Sequence, residues 1–397
     1  MFFILIYEWN MYQSIEIIYH IIITISLIAL LLNTVRNHFK FKVLSISPLP
    51  TYLKPLISIL VPARNEESCI KECIESLCQI EYPHIEIIVL DDNSTDATGQ
   101  ILHDLQTIYP HKLTIIKGTP LPNNWVGKPY ACFQLAKKAK GDYLLFTDAD
   151  TKHHPKSLDA TIQHAIEQSY DVLSIIPKQL VVHFWEQVTV PFIHLLYMSY
   201  MPNDLLYKTK HSIFTAANGQ ALLFKTSFYH AIGGHEAVFN SIAEDIDLGI
   251  ITKRHNGKLG MISAGNLISC RMYKNRKEVF EGFSKNAFAT LRFDTGMLLV
   301  FISHLFLTYI LPFFLLPYYI STAHVFFISM ITFQICCILL LRLSIARFFG
   351  NPWHHMLLQP LTAASFIVLS VNSAIWFMRK KGTTWKGRSY TMLQKSM

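Results

Sequence analysis

Two runs of strand-forming apolar residues each stop at a pair of carboxylates. Residues 87–90 lead into Asp91 and Asp92, and residues 143–146 lead, after one threonine, into Asp148 and Asp150. A continuous apolar run is typical of a strand that is buried on both faces, as in a parallel sheet. In open α/β sheets, ligands bind outside the carboxyl ends of such strands. The pattern therefore predicts an α/β fold with both acidic pairs at a ligand-binding edge.

Strand-like and helix-like segments alternate through the polar middle of the chain. Strands are predicted at residues 57–61, 85–90, 113–117 and 143–148. Helices are predicted at residues 67–78, from residue 95 and at residues 129–139. Alternation of this kind implies a Rossmann-like parallel or mixed sheet with helices on both faces.

The hydrophobic content of 51% is more than a soluble enzyme needs, and the excess is localised in four longer apolar segments outside this region. Each approaches the roughly 20 residues that cross a bilayer as a helix. They cover residues 15–32, 298–319, 323–341 and 357–377. We therefore predict an N-terminal membrane anchor over residues 1–43, a polar domain over residues 55–293 and a C-terminal membrane domain over residues 294–397.

The charges around the first apolar segment predict its orientation. Glu8 and Glu16 lie at or before its start, whereas Arg36, Lys40 and Lys42 follow it. By the positive-inside rule, the protein is expected in the cell membrane as a multi-pass protein, with the polar domain over residues 55–293 in the cytoplasm. The seven cysteines are odd in number and irregularly spaced, which agrees with a reducing compartment. If all four segments cross, however, the basic tail at residues 379–388 ends outside, so the sequence leaves the number of spans open.

The net charge of +8 also bears on the partners of the chain. Much of the positive charge flanks apolar segments, for example at residues 36–42 and 379–388. Basic residues in such places contact anionic lipid head groups. We therefore expect the lipid bilayer, and no nucleic acid, as a partner.

Asp148 and Asp150 are the candidate metal ligands. On a strand, residues i and i+2 face the same side, so both carboxylates could approach one Mg²⁺ or Mn²⁺ ion. Such an ion neutralises a departing diphosphate. An Asp-x-Asp sequence is also common in solvated turns, but the acidic strand end at Asp91 and the loop at residues 62–66 strengthen the metal-site interpretation. The pair His153-His154 could supply a further ligand, although such a pair before a proline is also typical of a surface turn.

These motifs resemble those of glycosyltransferase family 2, whose nucleotide-sugar-binding domain has the GT-A fold. The matching segments are residues 61–67, 91–96, 147–150, 233–234 and 244–245. The resemblance extends from residue 57 to about residue 247. It implies transfer of a sugar from a nucleotide diphosphate with inversion at the anomeric carbon.

The resemblance also implies roles for individual residues. Asp245 would be the catalytic base, and Asp148 and Asp150 would position the metal and the diphosphate. Lys128, near the start of a helix, would meet the diphosphate, unless it is only a solvated loop lysine. The residues implied in nucleotide binding are Pro62, Arg64, Asn65, Glu66, Asp91 and Asp92.

A narrower resemblance concerns the acceptor. Residues 125–132, 271–273, 281–285 and 385–390 are similar to those of bacterial membrane enzymes that glucosylate carotenoid acids, and partly to those of hopanoid-associated glycosyltransferases. This implies a UDP-sugar donor, with glucose as the hexose, and a membrane lipid acceptor. A carboxylic acid is already an anion at neutral pH and needs no base, whereas a hydroxyl does. The Glu244-Asp245 pair therefore favours a hydroxyl, and the carotenoid-acid interpretation stays open.

Two alternatives belong to other classes. A processive polysaccharide synthase of the same superfamily would carry a Gln- or Arg-x-x-Arg-Trp motif after the base, and the sequence has none. A non-catalytic membrane scaffold with a nucleotide-sugar fold would not need the carboxylates. Residues 184–200 are aromatic and apolar, and we expect them to lie along the membrane interface, where Trp185 and Phe192 would meet a lipid acceptor.

Overall fold

The computed structural model describes residues 2–46, 54–379, 383–385 and 388–390, with side chains for residues 13–46 and 54–379. Lys380, Lys381 and Lys386 of the basic tail lie outside the described residues. The contacts divide the chain into two compact units. The sheet unit contains Lys40–Val181, Asn203–Lys274 and Ile375–Met397. The helical unit contains Met1–Phe39, Val182–Pro202 and Asn275–Ala374. The predicted domain bounds at residues 43, 55 and 293 remain predictions.

The strands and helices are numbered along the chain. The strands are β1 Ile57–Ala63, β2 Ile85–Asp91, β3 Leu113–Lys117, β4 Tyr143–Thr147, β5 Thr151–His153, β6 Val172–Ile176, β7 Lys178–Gln179, β8 Ala221–Lys225, β9 Leu259–Ser263, β10 Ile268–Cys270, β11 Thr383–Trp385 and β12 Arg388–Tyr390. The α-helices are α1 Phe2–Lys40, α2 Ile70–Cys78, α3 Thr98–Ile108, α4 Gly127–Lys138, α5 Ser157–Glu167, α6 Phe184–Thr189, α7 Pro191–Leu195, α8 Asn203–Lys208, α9 Thr226–Ala231, α10 Glu244–Arg254, α11 Arg276–Thr290, α12 Thr295–Tyr309, α13 Leu311–Ser321, α14 Val325–Phe348 and α15 Gln359–Met378.

The sheet unit is built on a seven-stranded mixed sheet in the order β3-β2-β1-β4-β8-β6-β9. Strands β3, β2, β1 and β4 pair in parallel, whereas β8 is antiparallel to both β4 and β6. A second, three-stranded sheet has the order β5-β10-β7. The predicted α/β class with a parallel or mixed sheet is therefore confirmed.

Both faces of the large sheet are buried. In β1, Ile59 and Val61 pack into one core with α2, α3 and α5, whereas Leu60 packs into the other with α4 and α10. Period-two alternation sends successive side chains to opposite faces, so a strand with a core on each side must be apolar throughout. This is why β1 and β2 are continuous apolar runs in the sequence. The acidic residues follow where these runs end, at the carboxyl edge of the sheet.

The helical unit contains three helices that are long and apolar enough to cross a membrane, at Gln13–Lys40, Val325–Phe348 and Trp353–Met378. A fourth span would require α11 and α12 to count together, although they are bent by 119°. The predicted span at residues 298–319 is wrong as a single helix, because it is divided between α12 and α13. Pro312 lies at the start of α13, where a residue without a backbone N–H begins a new helix more easily than it continues an old one.

Residues 184–200 form two short helices, α6 and α7, followed by a π-helical turn. Buried hydrogen bonds connect this segment to α1. The Thr34 hydroxyl bonds to the Ser199 hydroxyl at 2.8 Å, and the Asn37 amide donates to the Met198 carbonyl at 2.9 Å. Phe192 is 1% exposed and stacks on Phe366 with ring centroids 3.8 Å apart. The expectation that Phe192 meets a lipid is therefore wrong, because its ring is in the protein core.

Gly234 should be sensitive to any side chain. Its φ is +51°, and a Cβ atom there would lie 2.3 Å from Cζ of Tyr229. We expect Gly234→Ala to cost about 2–5 kcal/mol, from left-handed backbone strain together with overpacking. Gly233→Ala is the control, because its φ is +80° but its nearest neighbour is Cβ of Ala237 at 3.3 Å. Thermal melting in detergent should show a clearly larger loss for Gly234→Ala, and equal losses would contradict the clash.

Candidate active site

The loops that follow β1 and β2 are held together by Arg64. Its side chain is 8% exposed, and Nη1 donates to the carbonyl of Asp92 and, at 2.9 Å, to that of Asn93. Both carbonyls lie just beyond the carboxyl end of β2. The guanidinium therefore stabilises the predicted nucleotide-binding edge from inside, as well as contributing positive charge to it.

Further contacts join the same two loops. Asn65 has a φ of 52°, and its Oδ1 accepts from the backbone N–H of Thr95 at 2.8 Å. The backbone N–H of Glu66 donates to the hydroxyl of Thr98 at 2.7 Å. Asparagine tolerates the left-handed region better than most residues. The structure thus brings together the segment at residues 62–66 and the segment at residues 91–98, as the order of the motifs predicts.

Asp91 and Asp92 have different environments. Asp91 Oδ1 accepts from the backbone N–H of Ser94 at 2.9 Å, which closes a turn after β2. Asp92 is 1% exposed, and its backbone N–H donates to the carbonyl of Ala63 at 2.8 Å. Asp91 is the more accessible carboxylate of the pair.

Asp148 and Asp150 lie in the turn between β4 and β5. β4 ends at Thr147, and the backbone N–H of Thr151 donates to the carbonyl of Asp148 at 3.2 Å. The argument that the two carboxylates share one face of a strand is therefore wrong, because the strand ends before them. The turn nevertheless keeps them close enough to interact, since burial and then the charges of Asp148 and Glu66 raise the pKa of Asp150 to about 7.

The two aspartates fit a divalent cation. Oδ1 of Asp150 is buried and has no hydrogen-bond partner among the residues that the structure describes. A buried carboxylate oxygen without a donor is costly unless a proton or a cation satisfies it. No group of three or more His, Cys, Asp and Glu side chains in the described residues could hold a metal alone. An ion at Asp148 and Asp150 would thus need oxygen ligands from water or substrate, which Mg²⁺ commonly keeps.

His153 is not part of this centre. Its Nε2 contacts the hydroxyls of Thr147 at 3.1 Å and Thr151 at 3.3 Å, and burial lowers its pKa to about 4. It is a neutral core histidine.

Lys128 joins two of the carboxylates. Its ammonium is 2.7 Å from Oδ1 of Asp148 and 3.1 Å from Oε1 of Glu244. Burial favours the neutral amine, but the two carboxylates outweigh it and raise the pKa of Lys128 well above its ordinary value. Burial likewise would raise the pKa of Glu244, but the Lys128 ammonium holds it below the ordinary value. Lys128 is therefore a fixed cation beside Asp148, which rules out the interpretation of a solvated loop lysine.

Asp245 lies in the first turn of α10. Its Oδ2 accepts from the backbone N–H of Gly219 and its Oδ1 from that of Ile246, each at 2.8 Å. Burial and the adjacent Glu244 raise its pKa to about 7, against the opposing effect of Lys128 and the two hydrogen bonds. A carboxylate with a pKa near neutrality is suited to take a proton at physiological pH.

One pocket collects these groups. Its lining includes Pro62, Lys128, Asp148, Glu244 and Asp245. Six of the predicted site residues lie outside this lining, namely Arg64, Asn65, Glu66, Asp91, Asp92 and Asp150.

Sequence reasoning missed two residues of this pocket, His235 and Gly219. His235 is buried and bonds through Nδ1 to the hydroxyl of Tyr229 at 2.8 Å. The backbone of Gly219 lies close to Asp245 and Lys128. A Cβ atom on Gly219 would be 3.3 Å from both the Asp245 side chain and the Lys128 ammonium. The only sequence feature that pointed to His235 was the glycine pair at residues 233–234 directly before it.

Comparison with known proteins agrees with this geometry. The sequence profile of Glycosyl transferase family 2 matches residues 58–230. The chain is 30% identical over 233 residues to 4,4'-diaponeurosporenoate glycosyltransferase of Staphylococcus haemolyticus (strain JCSC1435), a match that covers 58% of this chain and 60% of the relative. It is 25% identical over 280 residues to the protein of the same name from Staphylococcus aureus (strain USA300), covering 67% of this chain and 68% of the relative.

Among solved structures, the chain is similar to the mannosyltransferase PcManGT from Pyrobaculum calidifontis, which was determined in complex with GDP-Man and Mn²⁺. The TM-score is 0.54 and the sequence identity 18%, and the match covers 90% of this chain and 98% of that structure. At this identity the similarity concerns the fold.

Proposed function

We propose that this protein, whose residues 58–230 match the profile of Glycosyl transferase family 2, is an inverting glycosyltransferase that moves a hexose from a UDP-sugar to a membrane lipid. The observation that carries the proposal is the pocket in which Lys128 joins Asp148 and Glu244 beside Asp245. A fixed cation for a diphosphate and a carboxylate poised to accept a proton are the two groups that such a transfer requires.

The donor end of the site would use the loops after β1, β2 and β4. Asp91, the more accessible carboxylate at the end of β2, would hydrogen-bond the nucleoside. Lys128 would exchange its ion pair with Asp148 for the diphosphate. Asp148 and Asp150 would hold Mg²⁺ or Mn²⁺, which supplies charge neutralisation for the departing diphosphate when bound.

The acceptor end would use Asp245. Its carboxylate would take the proton of an acceptor hydroxyl while the oxygen attacks the anomeric carbon from the face opposite the diphosphate. The bond from the acceptor oxygen to carbon forms as the bond from carbon to the diphosphate breaks, and the nucleoside diphosphate leaves with the electron pair. Attack from the opposite face gives inversion.

A membrane lipid is the acceptor class that the chain favours. Three helices are long and apolar enough to cross a bilayer, and Arg36, Lys40 and Lys42 lie at or just beyond the C-terminal end of α1, which supports a cytoplasmic catalytic domain. The name of the staphylococcal relatives, 4,4'-diaponeurosporenoate glycosyltransferase, points to a carotenoid-type acceptor. The raised pKa of Asp245 favours a hydroxyl on that acceptor over a carboxylate.

The decisive experiment incubates membranes that contain the protein with radiolabelled UDP-glucose and identifies labelled lipids by extraction and mass spectrometry. Membranes from the same host without the protein are the control. A labelled lipid that depends on the protein supports the proposal. Efficient transfer to a water-soluble sugar or protein, with no labelled lipid, would refute it.

Lys128→Met should weaken donor binding and slow transfer. The variant removes the cation but keeps a similar side-chain length, and it leaves Asp148 and Glu244 without their shared partner. A charge-assisted hydrogen bond contributes about 1.5–3 kcal/mol, so we expect roughly 10- to 100-fold weaker UDP binding by isothermal titration calorimetry.

Lys137→Met is the matched control, because Lys137 lies on the same helix but is in the last turn and faces the ring of Phe133. UDP binding by Lys128→Met equal to that of Lys137→Met would exclude the diphosphate role.

A further inference from the structure

Buried polar side chains without hydrogen-bond partners are concentrated near the end of α14. Arg342 is 1% exposed, and none of its three guanidinium nitrogens has a partner in the part of the chain that the structure describes. His194 and His355 are also 1% exposed, and both ring nitrogens of each are unpaired within the same residues. Buried polar atoms in folded proteins are nearly always paired. Three such side chains together therefore call for an explanation.

The groups that surround Arg342 do not neutralise it. The guanidinium interacts electrostatically with His194, His355 and Tyr309. Among the described residues, no carboxylate forms an ion pair with it. The hydroxyl of Tyr309 is bonded to that of Tyr200 at 2.8 Å. A buried charge without a counter-ion is strongly unfavourable, so an anion from outside the chain would resolve the arrangement.

The position of Arg342 along α14 indicates the depth of this group. Arg342 is about 9 Å from the C-terminal end of the helix, at about 1.5 Å per residue. Beyond that end, the chain turns through a 3-10 helix, Trp353–Leu358, in which Trp353 is 63% and Leu357 59% exposed. Exposed tryptophan is typical of the interface between bilayer and water. The unpaired group therefore lies less than two helical turns, at about 5.4 Å per turn, from a chain segment with exposed apolar and tryptophan side chains.

We propose that Arg342, His194 and His355 form a binding site for the anionic group of an amphiphile, either a phosphate or a carboxylate. The planar guanidinium presents several N–H donors in a fork that matches both anions, and each histidine ring can add an N–H donor. The ring of His194 is fixed against Phe349, with centroids 3.7 Å apart. Gln359, which is 0% exposed and unpaired among the described residues, adds an amide at the start of α15. The inference does not depend on the proposed sugar transfer.

The test uses the full-length protein in detergent, stripped of lipid and titrated with phosphatidylglycerol or oleate under native mass spectrometry. Diacylglycerol and oleyl alcohol are the neutral probes of matched chain type. Arg342→Met should bind both anionic probes roughly 10- to 100-fold more weakly than the wild type. Arg347→Met is the matched control, because Arg347 lies on the same helix but is exposed, and it should bind as the wild type does.

Melting of the lipid-free proteins separates binding from a structural role. Arg342→Met should melt at the same temperature as the lipid-free wild type or higher, because it removes an unpaired buried charge. It should also lose the stabilisation that phosphatidylglycerol gives the wild type. The proposal would be overturned if Arg342→Met bound the anionic probes as tightly as the wild type does. It would also be overturned if the wild type bound the neutral probes as tightly as the anionic ones.

Copurified lipid and the membrane assay distinguish the two sources of the anion. If the site holds a bilayer phospholipid, the wild type should copurify with phospholipid that Arg342→Met lacks, while the KM for the lipid acceptor stays unchanged. If it holds the anionic group of the acceptor, Arg342→Met should raise that KM. Either result supports an anion site. If both proteins are folded and neither the copurified lipid nor the KM changes, the proposal is contradicted.

Discussion

Replacing Asp150 with Asn is expected to lower the turnover of sugar transfer by about 100-fold or more. The amide is isosteric but carries no charge, so a divalent cation would lose one of its two protein ligands and the diphosphate would leave with its charge less screened. The Oδ1 atom of Asp150, buried and unpaired among the described residues, is the position at which the cation would bind. Turnover with radiolabelled UDP-glucose in membranes checks this.

The pKa of Asp150 adds a pH dependence to the same experiment. Burial, Asp148 and Glu66 raise that pKa to about 7, so below pH 7 the carboxyl is increasingly protonated and a metal must displace a proton. The concentration of Mn²⁺ required for half-maximal activity should therefore rise as the pH falls from 8 to 6. Asp104→Asn is the control, since Asp104 is an exposed residue of α3 bonded to Gln100. Full activity in excess EDTA would exclude the metal.

Replacing Asp245 with Asn is expected to lower transfer by roughly 10²- to 10⁴-fold, which is the usual contribution of a positioned general base. The asparagine can still accept the hydrogen bond from Gly219 and loses only the one from its neighbour Ile246, so the pocket should largely keep its shape. UDP binding should therefore change little. Isothermal titration calorimetry with UDP and the membrane transfer assay, performed on the same preparation, separate the two effects.

The pH profile of the wild type tests the role of Asp245 independently. The base must be deprotonated to accept a proton, and its pKa is raised to about 7 by burial and by Glu244. The transfer rate should fall about tenfold per pH unit well below pH 7 and reach a plateau above it. Asp247→Asn is the matched control, because Asp247 lies in the same first turn of α10 but accepts from the Ser241 hydroxyl. Wild-type transfer by Asp245→Asn would place the base elsewhere or make the acceptor a carboxylate.

The sheet could be predicted from sequence because its signal is local. Strands buried on both faces are continuous apolar runs, and the predicted strand at residues 113–117 coincides with β3. The same local logic failed at residues 298–319, where mean hydropathy is high throughout but Pro312 begins a second helix. Hydropathy measures how strongly a segment prefers the bilayer over water. It does not register that proline lacks the backbone N–H needed to continue a helix, so it could not predict the break at Pro312.

The site was predictable only in part. The carboxylates at strand ends follow from the sheet, but the link from Lys128 to Glu244 joins residues far apart in the chain, and no spacing rule predicts it. The same-face argument for Asp148 and Asp150 failed because it assumed that β4 continues beyond Thr147. Phe192 was placed at a lipid surface because it is aromatic and near Trp185, whereas its partner Phe366 lies on a distant helix.

The path of the chain has a consequence for biosynthesis. Residues 182–202, which are hydrogen-bonded to α1, leave the ribosome before β8, and β8 is the strand that joins β4 to β6 in the large sheet. Until β8 is translated, β6 lacks its neighbour on the side of β4, and the first four parallel strands end in an open edge. Docking of residues 182–202 on α1 can therefore precede closure of the sheet. Assembly of the chain is thus expected to be ordered, with these helical contacts formed first and the seven-stranded sheet completed afterwards.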